Sequence, residues 1–385
     1  MGDSSNHSGG DGRRVSRSSS EGSLGNLLNG ATVLVTGGAG FIGSALAIEL
    51  CREATGARIV AFDSLRRFGS ELNVARLRSA GVEFVHGDVR VPGDLESPVD
   101  NLKLIIDCAA DPSVLAGYVS PPNRLVSSNL IGTVNSLELA RRTGADFIFM
   151  STSRVYPIAA LNQISTVEQE TRFEIDASRL ELGVSMAGVS ERFPLDGVRS
   201  LYGATKLASE LLLREYAAMY GFRFVINRLG VVTGPGQMGT VEQGVFSLWM
   251  ARHFFGGDLT YRGWGGGGKQ VRDLLHVQDV CRLVLRQVTQ WDRINGRNYN
   301  VGGGASNSLS LCEATRLCRE LTGRQISVRS DPATHPADVR LYYTDSALVT
   351  HDTGWMPTWD TRAIFADLLT WFRSDEQTVR RVFSS

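Results

Sequence analysis

One stretch limits what this chain can fold into more than any other: ATVLVTGGAGFIGSALAIEL, from Ala31 to Leu50. Thr32 to Val35 is an unbroken β-rich run, as a strand covered on both faces requires. A loop with glycines at Gly37, Gly40 and Gly43 follows, and the apolar run Phe41 to Leu50 reads as a helix. Strand, tight turn and helix in succession leave the first helical N–H groups, those of Phe41 and Ile42 among them, unpaired and aimed into the turn. A diphosphate suits that place. Gly37 permits the turn, Gly40 lacks the Cβ that would block the anion, and Gly43 lets helix and strand pack closely. Three spaced glycines alone equally describe a structural turn; their position between a strand and a helix makes this a dinucleotide site.

A second apolar strand, Arg58 to Phe62, ends in Asp63, about 20 residues beyond the last glycine. A carboxylate there accepts from both hydroxyls of an adenosine ribose and repels a 2′-phosphate, so the expected cofactor is NAD rather than NADP. Arg66 and Arg67 follow closely and are able to hold a 2′-phosphate; an ordinary strand-end turn residue is the plainer reading of Asp63. After a helix over Glu71 to Ser79, a strand from Val82 to Val85 runs into His86-Gly87-Asp88-Val89. Asp88 there suits the exocyclic amine of adenine and Val89 the ring face, with an Asp N-cap as the competing reading. A strand from Leu102 to Asp107 leads to Cys108-Ala109-Ala110, where small residues such as Ala109 leave room for the nicotinamide ribose. A helix from Leu125 to Arg142 and a strand from Asp146 to Met150 continue the alternation. The expected fold is therefore α/β, a doubly wound Rossmann parallel sheet with its ligands at the carboxyl ends of the strands.

That rule places Ser151-Thr152-Ser153 where chemistry happens. A Ser/Thr cluster after a strand is usually a helix cap, but Leu201-Tyr202-Gly203-Ala204-Thr205-Lys206 changes the reading. The apolar positions 204, 207, 208, 211 and 212 follow helical spacing, so Tyr202 and Lys206, at i and i+4, share one helix face. A phenol with an ordinary pKa of about 10 is a poor base at neutral pH; a neighbouring ammonium and an oxidised nicotinamide both favour the phenolate. Tyr202 would take a proton from a carbinol, with Thr152 holding the same oxygen.

The chain has 385 residues, enough for one large domain or two coupled ones, and its 40 basic residues balance its 40 acidic ones. That balance gives no electrostatic footprint for nucleic acid or an acidic membrane surface. The five cysteines, Cys51, Cys108, Cys281, Cys312 and Cys318, show neither a CxxC pair nor metal spacing, so buried free thiols in a reducing, cytoplasmic setting are expected, with no metal. No run approaches the roughly 18 apolar residues that span a bilayer. Residues 1–28 are almost without large apolar side chains and read as a disordered tail, lacking the features of a secretory signal or transit peptide. Its Arg-Arg-Val-Ser run reads as solvated linker rather than a kinase site. Residues 29–229 then form the NAD-binding domain with its Tyr/Lys helix, and 230–385 mainly a smaller, discontinuous substrate lobe, with some segments returning to the Rossmann domain.

TGGAGFIG, Asp63, Asp88, Thr152 and YGATK, in this order and spacing, resemble the extended short-chain dehydrogenase/reductase family, the sugar-nucleotide epimerases and dehydratases, over essentially residues 31–372. GKQVRDLLH at 268–276, YNVGGG followed by Asn307-Ser308-Leu309-Ser310-Leu311, and Asp338-Val339-Arg340 are most similar to its CDP-sugar 2-epimerase branch. The resemblance implies that Arg272 and Arg340 hold the substrate diphosphate, a role that a planar guanidinium fork also suits. It further implies that Arg228, Gln237 and residues 240–244 line the substrate cleft, and that helices 125–142 and 202–219 pair in a homodimer. The chain also departs from the family. Its dehydratases carry an Asp-Glu pair after the Thr, whereas here Ser153-Arg154 follow, and Asp107-Cys108-Ala109-Ala110 stands where the family often has His-x-Ala-Ala. The expected activity is epimerisation of a nucleotide-activated hexose, of the CDP-sugar type, through transient oxidation. A 4-epimerase or reductase of UDP or dTDP sugars, and a non-catalytic NAD-binding sensor, are the alternatives.

Overall fold

The computed structural model describes residues 24–97, 99–118, 120–238 and 244–383. Seven strands form its main sheet: β1 (Thr32–Thr36), β2 (Arg58–Asp63), β3 (Glu83–His86), β4 (Leu102–Asp107), β5 (Asp146–Thr152), β6 (Phe224–Leu229) and β7 (Arg297–Val301). They lie in the order β7-β6-β5-β4-β1-β2-β3, and every neighbouring pair is parallel. The strand order reverses between β1 and β4, whose ends meet at Thr36 and Asp107. A crevice opens at that switch point, outside the carboxyl ends.

Alternation along β1 builds both layers at once. Val33 and Val35 face Leu46, Ala47 and Leu50 of the Phe41–Glu53 helix, while Leu34 faces Leu137 and Ala140 on the opposite side. Each such valine or leucine side chain, removed from water, contributes roughly 1.5–3 kcal/mol. This explains why β1 carries no polar side chain longer than threonine.

Two expected elements differ. The helix expected over Leu125 to Arg142 is a short helix, Asn123–Val126, a π-helical turn, Ser127–Ile131, and a second helix, Gly132–Thr143. The wide turn presents the Asn129 carbonyl to two hydroxyls, those of Thr133 at 2.9 Å and Ser209 at 3.1 Å. The tail was expected to run to residue 28, but Leu24–Leu28 forms a helix whose Leu24 and Leu28 pack on the main core. Residues 1–23 lie outside the described residues.

The C-terminal part is shared between two bodies. The Val277–Thr289 helix and β7 join the nucleotide sheet, with Val280, Cys281, Val284 and Val301 in the same core as Val33. A smaller four-stranded sheet is centred on Val271–His276, with Val231–Thr233, Ser308–Ser310 and Leu341–Tyr342 beside it. Helices Val245–Phe255, Leu311–Thr322 and Thr361–Ser374 supply its separate core through Phe246, Cys318 and Phe365. Residues 155–200 pack on this lobe through Phe173, Ile175 and Phe193 against Val339 and Leu341. No helix of the described residues is long and apolar enough to cross a membrane.

Candidate active site

The glycine loop has the form that its spacing requires. Gly37 sits at φ +63°, and a Cβ built on it would lie 2.8 Å from the Ala109 backbone. A Cβ on Gly43 would fall 2.2 Å from the Gly37 carbonyl oxygen. Only glycine fits either place, so the loop is drawn tightly against both β4 and its own helix. The crevice beyond is lined by Gly37, Gly40, Asp63, Asp88, Val89 and Ala109.

Asp63 closes the loop from the β2 side: its carboxylate accepts from the Ala39 N–H at 3.1 Å and the Leu65 N–H at 2.8 Å. Burial pushes this carboxyl above the ordinary range, and those amides offset part of the rise. Asp88 is committed differently from either reading of it. Both of its oxygens accept from the Arg90 side chain, at 2.9 and 3.0 Å from Nε, and the backbone N–H of Arg90 adds a bond at 3.0 Å. The Arg90 bond holds the Asp88 carboxyl below its usual range. It therefore forms a turn and an ion pair at the crevice wall, and any bond to an adenine amine would be shared with Arg90. Val89 is buried beneath it.

A second cleft continues from the glycine loop across the ends of β5 and β6, and Thr152, Arg154, Tyr202 and Gln237 line it. The Leu201–Tyr220 helix begins at Ser200, whose hydroxyl accepts from the Gly203 N–H at 3.2 Å, a side-chain cap worth about 1 kcal/mol. This start aims Tyr202 at the cleft, where the Thr152 hydroxyl bonds to it. Burial raises the phenol, and the Thr152 bond and the Arg154 charge act in the opposite direction. Lys206, one turn on, is buried with its ammonium 3.9 Å from the centre of the Phe149 ring. Burial lowers it, while Asp107, the Cys108 thiol and Glu210 favour its charge. The same helix face continues to Glu210, so residues 202, 206 and 210 present phenol, amine and carboxylate in series.

The remaining expected substrate ligands are spent elsewhere. Arg228 is corrected outright: it is 3% exposed, its Nη2 lies 2.7 Å from Glu210 and its Nη1 3.2 Å from the Tyr156 hydroxyl. It ties β6 to the Tyr202 helix and does not face the cleft. Arg340 is likewise corrected, since its Nη2 donates to the carbonyls of Asn162 at 3.0 Å and Ile164 at 3.1 Å, and its guanidinium lies over Phe173 and Trp264. Arg272 donates to the carbonyls of Val271 and Val339 and to Asp338 at 3.2 Å. Burial lowers its guanidinium. Gln237 does line the cleft, but its amide is bound at both ends, by the Val232 carbonyl at 2.7 Å and the Ser247 hydroxyl at 2.5 Å. Residues 240–243 lie outside the described residues.

Sequence reasoning missed three groups. Asn129, fully buried in the π turn, accepts from the Asp111 N–H at 2.7 Å and donates back to the Asp111 carbonyl at 2.9 Å, fixing the loop after β4. Glu210 was visible as the third member of the 202, 206, 210 series. Arg154 was noted only for what it replaces. Among the described residues no group of three or more His, Cys, Asp or Glu side chains is placed to hold a metal.

The model of the NAD dependent epimerase/dehydratase family matches residues 33–302. This chain belongs to that family. A relative, the CDP-paratose 2-epimerase of Salmonella typhi, is 31% identical over 84% of this chain and 94% of its own length. Among solved structures, the dTDP-glucose 4,6-dehydratase DesIV of Streptomyces venezuelae, with NAD bound, is similar at TM-score 0.75 and 26% identity, covering 91% of this chain and 99% of that one. The UDP-glucose 4-epimerase of Thermus thermophilus, in complex with NAD, aligns at TM-score 0.71 and 27% identity over 89% of this chain and 99% of that one. The chain is an enzyme, and its cofactor is NAD. The site fits that cofactor on its own geometry: the loop leaves room where any Cβ would clash, and a carboxylate stands at the end of β2.

Proposed function

We propose that this protein is an NAD-dependent epimerase of a nucleotide-activated hexose, acting at C2 of a CDP-linked deoxysugar. One observation carries the choice of epimerase over dehydratase. Among the described residues that line the catalytic cleft there is no Asp or Glu. Eliminating water requires an acid for the departing hydroxyl and a base for the carbon-bound proton, and family dehydratases place an Asp-Glu pair where this chain has Ser153-Arg154. A guanidinium stays protonated and transfers no proton. The CDP moiety and the C2 position are supported by the Salmonella relative.

In this reading residues 37–43 hold the diphosphate of NAD and Asp63 its ribose. When bound, NAD supplies a reversible hydride acceptor. A substrate hydroxyl held between Thr152 and Tyr202 gives its proton to the phenolate oxygen as its carbon becomes a carbonyl. Lys206, buried one turn below, keeps a positive charge on the same face. Tyr202 returns the proton once the flat carbonyl has been reduced from its other side. We further propose that residues 230–385 mainly form the lobe for the sugar nucleotide. A homodimer formed through the Leu201–Tyr220 helix is part of the reading, supported by exposed Leu211 and Met219 on that helix. So is a cytoplasmic setting, supported by five free cysteines.

The test is a panel of CDP, UDP, GDP and dTDP sugars incubated with the enzyme in deuterated water and read by NMR. Inversion at C2 of a CDP-deoxysugar without solvent label supports hydride return, and a dehydrated product or net NADH consumption refutes the proposal. The Tyr202→Phe protein should bind NAD as before and turn over about 10²–10⁴ times more slowly.

A further inference from the structure

We propose that Arg154, which lines the same cleft as Thr152 and Tyr202, is a charge-positioning residue of this site: its guanidinium holds Tyr202 as the phenolate that starts the reaction. The inference rests on Tyr202 being the base. Three features of the structure support it.

First, the two residues are locked together through the backbone. The Arg154 carbonyl oxygen lies where a Cβ on Gly203 would come within 2.0 Å, so the first turn of the Tyr202 helix packs directly on residue 154. The Arg154 N–H is held in turn by the Thr152 hydroxyl at 3.2 Å.

Second, its donors are largely uncommitted. Nη1 donates to the Ala337 carbonyl at 3.2 Å, and among the described residues no other acceptor takes its remaining N–H groups. Arg228, Arg272 and Arg340 by contrast spend their forks on protein oxygens.

Third, nearby charges do not cancel it. Asp338, the carboxylate closest to neutralising Arg154, is engaged by Arg272 at 3.2 Å and by the Trp264 indole N–H at 3.0 Å. Asp111, whose charge opposes ionisation of Tyr202, is paired with Arg124 at 2.7 Å. Lys206, on the helix of Tyr202 itself, faces Asp107, Cys108 and Glu210. Burial, with Arg272 nearby, pushes the Arg154 guanidinium down to about 10, which leaves it charged at neutral pH.

The sign follows. A cation beside a phenol stabilises phenolate, so losing it moves the Tyr202 ionisation to higher pH, by about 1 unit or more for a charge within roughly 4–6 Å. The test is an ultraviolet tyrosinate titration of the NAD-loaded protein, taken as the difference from the Tyr202→Phe protein, with native Arg154, with Arg154→Met and with Arg154→Lys. Arg154→Met should raise the midpoint by about 1 unit or more, and Arg154→Lys should bring it most of the way back. The acid limb of the turnover profile should move by the same amount, with rates converging at high pH. A midpoint unmoved in a folded Arg154→Met protein overturns the proposal; should that variant not fold, an unmoved midpoint in Arg154→Gln does so. If Tyr202→Phe keeps full turnover, the epimerase base is wrong, yet the titration still decides whether Arg154 acts on Tyr202.

Discussion

Removing the Arg228 guanidinium separates a structural ion pair from a substrate ligand. Both partners are nearly water-free, with side chains 3% and 2% exposed, and the contacts are 3.1 Å from Nε to Oε1 and 2.7 Å from Nη2 to Oε2. Burial opposes the Arg228 charge, but Glu210 outweighs it and the guanidinium sits above its ordinary value. Arg228→Met leaves Glu210 buried beside the Ser151 hydroxyl without its cation, and breaking such a pair costs about 3–5 kcal/mol. The Tyr156 hydroxyl, which also accepts from Arg228, loses one donor but keeps its bond to Asn300 at 2.7 Å. The double variant Arg228→Met/Glu210→Gln should recover roughly 0.5–3 kcal/mol of the summed loss, because the stranded charge is gone. Denaturant unfolding of the four proteins in the cycle gives these energies. An Arg228→Met protein that unfolds within about 0.5 kcal/mol of the parent, and whose KM alone rises, would refute the reasoning and restore Arg228 to the substrate.

Gly43→Ala places a methyl 2.2 Å from the Gly37 carbonyl, so the loop must open; NAD affinity by calorimetry should fall at least about tenfold, or ~1.4 kcal/mol, and unchanged affinity would mean that the loop is not the diphosphate cradle. Asp63→Asn tests burial against function. Because the folded state raises the Asp63 carboxyl, its stabilising, protonated form is present at low pH and lost as pH rises through the raised value. The apo variant should therefore unfold less readily than the parent at neutral pH, the gap closing as pH falls into the range of about 4 and below, while its preference for NAD over NADP weakens. A neutral-pH gap of the opposite sign, or an undiminished cofactor preference, would count against that reading.

Strands β1 to β5 were legible because each is a short, mainly apolar run bounded by turn residues, and the glycine loop is dictated by its own helix and the strands on either side. Strands β6 and β7 were not read: Asn227 and Arg228 interrupt the first, and the second, Arg297-Asn298-Tyr299-Asn300-Val301, is mostly polar, its place at the sheet edge being set by pairing with β6. The π turn was not legible: its cause is the pair of hydroxyls, Thr133 and Ser209, that converge on one carbonyl, and the second of these lies 80 residues away. The tail boundary was missed because two leucines outweighed a polar neighbourhood once a core lay beneath them. Asp88 was placed at the crevice correctly, but its partner two residues on was not weighed.

The arginines show where sequence reading stops and what would carry it further. A guanidinium declares its charge but not its acceptor, so Arg228 and Arg340 looked alike in the chain although one closes on a carboxylate and the other on backbone carbonyls. The partner of Arg228 was nonetheless written in the sequence. Glu210 lies at the same helical spacing from Lys206 as Lys206 does from Tyr202, and a carboxylate on a face otherwise turned toward the sheet demands a cation from the next strand. Following that demand would have moved Arg228 out of the substrate cleft. It would also have left Arg154, the residue that sets this chain apart from the dehydratases, as a cation lining the same cleft as Tyr202.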